Sequence, residues 1–444
     1  MKTLISNARI VTDGRIREGD VLIDGERIAR VDSQISADDV NRVVDAKGRW
    51  LLPGMIDDQV HFRDPGLTHK GNLATESAAA VAGGITSFME MPNTLPNTVT
   101  RECLREKYGL AEGRAHGNYA FYFGAANDNL EEIRALPPGE ACGLKIFMGA
   151  STDNMLVDDP DTLDAIFGSF EGIIATHCED SPTIVAHEEH FTKRFGEDIP
   201  MSAHPLIRSA EACYKSTELA VGLARKHGSR LHVLHMTTAR ELDFFEPGPV
   251  TGKQITAEAC VHHLWFSDAD YEALGARIKC NPAIKKAEDR AVLRAAVADG
   301  RLNIIATDHA PHTLEEKNHA YKRAAAGLPL VQHAMLVVLE LVRDGVIDLP
   351  TAVERMSHAP AERFGVVDRG RIAEGQFADL VLINPEHHTD VTPESLLYKC
   401  AWSPFEGTSF RHHVDTTYVN GVPVWDGRTV SDRPVGQRLQ FARP

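Results

Sequence analysis

The sequence predicts an α/β fold: a (β/α)8 barrel of TIM type over residues 53–364, with a small β-sandwich domain built from both chain termini, residues 1–52 and 365–444. Three observations predict it. Eight short apolar runs alternate with helix-like segments through the middle of the chain, as successive βα units require. The two ends share a different texture, short strands punctuated by Asp13-Gly14, Asp24-Gly25, Asn420-Gly421 and Asp426-Gly427. No Gly-x-Gly-x-x-Gly or phosphate-loop motif favours a doubly wound open sheet instead.

Taken in order, Thr3–Ile5, Ala8–Val11, Asp20–Ile23 and Ile28–Val31 read as strands of a segment too small to fold alone. Barrel strands are expected at Ile56–His61, Ile85–Met91, Tyr119–Gly124, Leu144–Met148, Ile173–His177, Leu231–His235, Gln254–Ala257 and Leu302–Thr307. Between them, Leu73–Ala82, Arg101–Glu112, Asp161–Gly168, Ala210–Lys226 and Lys286–Asp299 have helical composition and period. The tail returns to strands at Arg371–Ile372, Ala378–Ile383, Thr416–Val419 and Val422–Trp425, which suggests that the two ends pair.

The bulk numbers exclude several functions. A length of 444 residues suits a barrel plus a smaller domain, and 43% hydrophobic with 25% charged residues is ordinary for a globular protein. The net charge of -16 repels phosphate backbones, so a nucleic-acid partner is not expected, and an anionic substrate needs locally placed cations. Seven scattered cysteines without a CxxC pair fit a reducing compartment. No apolar run reaches membrane-spanning length, so a cytoplasmic protein with no membrane partner is expected.

Chemistry-bearing residues gather where strands are expected to end. In PGMIDDQVHFRDPGLT, alternation sends Gln59, His61 and Arg63 one way and Val60 and Phe62 the other. His61, Lys145, His177, His235 and Asp308 each lie in a predicted strand or at its C-terminal end, the barrel face on which active sites are built. A single strand-end histidine is more often structural; five such residues are hard to dismiss together. Lys145, in GLKIFMG, is costly to bury unpaired. With a lowered pKa it becomes a nucleophile, open to a Schiff base or to a carbamate whose two oxygens can bridge metal ions. Nearby imidazoles and a carboxylate favour the metal reading, with zinc as the suited ion. Asp308 reads as a ligand, a general base or a helix cap near Leu314.

These pieces, with MEMPNTLPNT, THCED, LHVLHMTT, ITAEACVHHL, KCNPA and ATDHAPHTLEEK, resemble the amidohydrolase superfamily, and within it the dihydroorotases and their cyclic-amidohydrolase relatives. GRIAEGQFADLVLI, SPFEG and VNG extend the resemblance to the terminal β domain, so it covers nearly the whole chain. The resemblance implies one or two divalent ions, zinc by type. His61 and Asp308 would hold the more exposed ion, His177 and His235 the second, and carboxylated Lys145 would bridge. It makes Asp308 the proton shuttle and assigns Arg63, Asn93, Asn281 and His312 to the substrate. The implied reaction is reversible ring opening of dihydroorotate to N-carbamoyl-aspartate in pyrimidine biosynthesis, by a metal-activated hydroxide, in a homo-oligomer (dimer or tetramer).

Two departures stand out. Gln59 replaces the first histidine of the family's His-x-His, and an amide oxygen is a weaker ligand than imidazole. Pro282, Ala283, Ile284 and Lys285 replace the usual Pro-Pro-Leu-Arg, keeping a charge but not the guanidinium. Alternatives are an allantoinase- or hydantoinase-like cyclic amidase, or an inactive homologue serving as assembly partner of a transcarbamoylase. His232, Glu258, His262 and His263 read equally as groups orienting the ligands and as satisfied structural residues. His187–His190 reads as a solvated face, Cys178 as pointing away from His177, and Ser151–Val157 as a candidate lid.

Overall fold

The computed structural model describes residues 1–149 and 153–442. Eight parallel strands form the central barrel: Met55–Val60, Ile85–Glu90, Asn118–Phe121 continued by Phe123–Gly124, Leu144–Phe147, Ile173–His177, Arg230–Val233, Ile255–Cys260 and Ile304–Ala306. The ladder runs through pairs such as Phe88–Tyr119, Lys145–Ala175, Thr176–Val233 and Cys260–Ala306. Closure of the eighth strand on the first comes from a bridge between Val60 and His309, with the His61 N–H donating to the His309 carbonyl at 2.7 Å. Asp57 reinforces the seam by accepting from both the N–H and the hydroxyl of Thr307, at 3.1 and 2.6 Å. All six residues of the first strand are buried, since helices cover the barrel outside and side chains fill it inside.

The helices start where the sequence supplies caps. Asn72 and Thr75 form a capping box before Leu73–Ala82, while Thr100, Asp159 and Ser209 cap Arg101–Ala111, Pro160–Phe167 and Ala210–His227. Besides several short helices, two longer ones not anticipated above are Ser181–Phe195 and Ala334–Arg343. The second is buried over eight consecutive positions, so no polar stripe betrays its period. His187–His190 lies on the partly exposed Ser181–Phe195 helix, as a solvated face does.

Both chain ends do meet in one sheet. Trp50–Pro53 pairs parallel with Lys2–Thr12 and antiparallel with Leu380–Asn384, which continues to His413–Val419 and Val422–Trp425. Arg371–Ile372 is not a strand. The last described residues leave this sheet and lie along the barrel, where Gly436 and Leu439 N–H groups bond the Ala115 and Tyr119 carbonyls. No described helix is long and apolar enough to cross a membrane.

Candidate metal centre

Every site residue expected from the sequence reaches one cleft at the C-terminal ends of the strands. Gln59, His61, Arg63, Asn93, Lys145, His177, His235, Asn281, Asp308 and His312 line it together. Three of them, Arg63 (φ 69°), His235 (φ 37°) and Asp308 (φ 50°), have left-handed backbones that L-residues seldom adopt. Such conformations persist where the surrounding structure imposes them, and here they turn side chains at strand ends into the cleft.

Two pairs of donor atoms face each other. His177 Nδ1 lies 2.9 Å from His235 Nε2, and His61 Nε2 lies 3.2 Å from Asp308 Oδ1. Hydrogen bonds on the far sides of two rings fix what these atoms can do. The Glu179 carboxylate accepts a hydrogen bond from His177 Nε2 at 2.7 Å, leaving Nδ1 with a lone pair. Asn93 Oδ1 can only accept, so His61 Nδ1, 2.7 Å away, carries the proton and Nε2 is left open. Burial pushes His61, His177 and His235 below the ordinary imidazole range, so all three are in the neutral form that binds metals. Neutral imidazoles and a carboxylate whose ligand atoms lie this close together fit a divalent ion of the zinc type.

Lys145 lines the same cleft, only 1% exposed, with Nζ 4.4 Å from the Phe147 ring centre. Desolvation brings its ammonium down from 10.5 to about 8. A fall of that size raises the neutral-amine fraction near pH 7 by about 300-fold, and only the neutral amine can add carbon dioxide.

Gln59 does something the sequence left open. Its amide nitrogen donates to Asp308 Oδ1 at 3.1 Å, and its oxygen faces Cys260 Sγ at 3.7 Å. The glutamine thus holds the aspartate, while a ligand role would require its oxygen on that side. Asp308 caps no helix, because Leu314–Lys317 is capped by Thr313 and Glu316. Arg63 is aimed by the Pro311 carbonyl at 3.2 Å and by His312 Nε2 at 3.1 Å. Burial and the Arg63 charge hold His312 at about 3, so its ring is a neutral acceptor for the guanidinium. Asn281 Oδ1 is buried at the cleft edge with no hydrogen-bond partner among the described residues. Lys285 stays out of the cleft, its Nζ bonded to the Ala283 carbonyl at 2.9 Å.

Sequence reasoning missed Glu179, Arg208, Phe147 and the Ala326–Gly327 wall. Burial alone would raise Glu179, but Arg208 at 2.6 Å and His177 bring it down to about 2, so a full anion orients the histidine. Glu179 stood in plain view in THCED, whereas Arg208 is distant in sequence. Gly327 needs to be glycine: at φ 141° an added Cβ would lie 2.4 Å from the Ala310 carbonyl oxygen. Glu258 accepts the His235 N–H at 3.1 Å, whereas His263 bonds the Pro282 carbonyl and does not touch the centre. Cys178 donates to Thr176 Oγ1, away from His177. Ser151 and Thr152, in the candidate lid, lie outside the described residues; beyond them, Val157 N–H bonds the Phe147 carbonyl at 2.9 Å.

The Amidohydrolase family profile matches residues 50–424. A dihydroorotase of Halobacterium salinarum is 33% identical over 433 residues, covering 95% of this chain and 96% of its own. An allantoinase of Bacillus velezensis is 30% identical, covering 94% and 92%. The solved L-hydantoinase (dihydropyrimidinase) of Arthrobacter aurescens superposes with a TM-score of 0.92 at 27% identity, covering 99% of both chains.

Proposed function

Because the chain belongs to the amidohydrolase family, as a metal-dependent cyclic amidohydrolase, we propose that it is a dihydroorotase, interconverting dihydroorotate and N-carbamoyl-aspartate. The observation that carries this choice within the family is Arg63. Its guanidinium is buried in the cleft, aimed by two neutral acceptors, and suited to a substrate carboxylate that hydantoin and allantoin lack. Asn93 stands beside it, with its oxygen committed to His61 and its NH2 left to a second carboxylate oxygen.

In this reading His61, Asp308, His177, His235 and carboxylated Lys145 hold one or two zinc ions. Bound there, zinc supplies a water acidified toward neutral pH and a polarised ring carbonyl. The chain's own groups do the rest. Arg63 and Asn93 fix the ring by its carboxylate, with Asn281 and His312 completing the wall around it. Asp308 receives the proton of the attacking water and delivers it to the departing ring nitrogen, and in ring closure it runs the same transfer backwards. Gln59 keeps the Asp308 carboxylate turned to that task.

Steady-state assays with dihydroorotate, allantoin and hydantoin test the reading. Turnover is expected with dihydroorotate above the other two, and turnover of allantoin or hydantoin alone overturns it. The Gln59 contact adds a second expectation. Gln59→His should raise the number of tightly held zinc ions by one per chain, read by elemental analysis after desalting. An unchanged zinc content would show that Gln59 already serves as a ligand or that the first position cannot fill.

A further inference from the structure

A second group of ligand atoms lies deeper in the barrel, three residues earlier on two of the same strands. Asp58 precedes His61 by three positions and His232 precedes His235 by three. Glu258 joins them from the seventh strand. All three are fully buried. His232 Nε2 lies 3.2 Å from Asp58 Oδ2 and 3.1 Å from Glu258 Oε2, and these atoms converge on one point. The remaining polar contacts of Glu258 are the His235 N–H and Cys260 Sγ, at 3.1 and 3.7 Å.

One feature shows that the protein's own hydrogen bonds do not complete this cluster. His232 Nδ1 meets Thr256 Oγ1 at 2.8 Å, which fixes the ring with Nε2 toward the two carboxylates. The feature is Asp58. Neither of its oxygens has a hydrogen-bond partner among the described residues, although the side chain is wholly removed from solvent. A proton on His232 Nε2, shared with Glu258, serves Oδ2 at best and leaves Oδ1 bare in the barrel interior.

We propose that Asp58, His232 and Glu258 form an inner site for a divalent metal ion of the zinc type, separate from the centre in the cleft. Three donor atoms converge, one each from Asp58, His232 and Glu258, and the second oxygen of Asp58 is also without a partner among the described residues. A nitrogen with carboxylate oxygens suits zinc, and the Thr256 contact supplies the outer hydrogen bond that fixes a histidine ligand. None of these residues lines the cleft. Phe364, a buried residue, packs against the site, its ring 5.8 Å from that of His232 and 6.2 Å from that of Tyr122. The ion is therefore captured as the barrel assembles, and it ties the first, sixth and seventh strands together. The site does not depend on which cyclic amide the cleft hydrolyses.

Protein produced with zinc and then dialysed against a chelator tests this. The cleft centre is open and should be stripped, whereas the inner site should retain one zinc per chain by elemental analysis. In crystals of the same sample, an anomalous peak at the zinc edge is expected between Asp58, His232 and Glu258. Asp58→Asn, which keeps the shape and removes the charge, should lose both the retained ion and the peak; Glu258→Gln is the second variant should the first not fold. Absence of the peak in the wild-type crystal overturns the proposal, as does a retained ion in Asp58→Asn. Zinc confined to Lys145, His177 and His235 overturns the inner site and leaves the cleft centre standing.

Discussion

Replacing Asp308 by asparagine is expected to lower kcat for dihydroorotate about 10³-fold or more with little change in folding. The amide still offers an oxygen to Gln59 Nε2 and can remain against His61, so the local contacts persist. What it cannot do is accept a proton and pass it on, and positioned acid–base catalysis is worth about 10²- to 10⁴-fold. Steady-state kinetics, with zinc content and a thermal melt on the same sample, separate loss of the shuttle from loss of the ion or of the fold. A variant with unchanged zinc and kcat within tenfold of wild type would remove Asp308 from the proton path.

Arg63→Lys is the second large effect, and it should fall on one substrate. The guanidinium is held by Pro311 and His312 in a fixed orientation, and its fork can meet both oxygens of a carboxylate. Lysine keeps the charge but offers a single point. Loss of a charge-assisted hydrogen bond of about 1.5–3 kcal/mol corresponds to about 10- to 100-fold in KM for dihydroorotate. Any residual turnover of a neutral hydantoin should change much less. Equal losses on both substrates would mean that Arg63 supports the cleft wall rather than reading the carboxylate.

Much of the site could be read before the fold was known, for a definite reason. Barrel strands end at one face, so a chemistry-bearing residue at the end of an apolar run is already assigned to the cleft. His61, Lys145, His177, His235 and Asp308 were legible in that way. Alternation also set Arg63 beside His61, but its role, like the places of Asn93, Asn281 and His312, was legible only through motif resemblance, because those residues sit in loops where periodicity carries no signal. Arg208 was not legible at all. It reaches Glu179 through folding, across a separation for which neither helix nor strand spacing gives a rule.

The sequence alone determined the alternation that makes a barrel, the pairing of its two ends into a sheet, and the residue types available at the strand ends. Those are consequences of local period and of the turn and cap residues, which act over a few positions. Only the tertiary structure decided which lone pairs remain open. Whether Gln59 grips Asp308 or offers its oxygen, which nitrogen of His61 or His177 carries the proton, and whether Asp58 finds a partner all depend on groups from other strands. Those choices are set by hydrogen bonds at about 3 Å between residues that the chain keeps far apart.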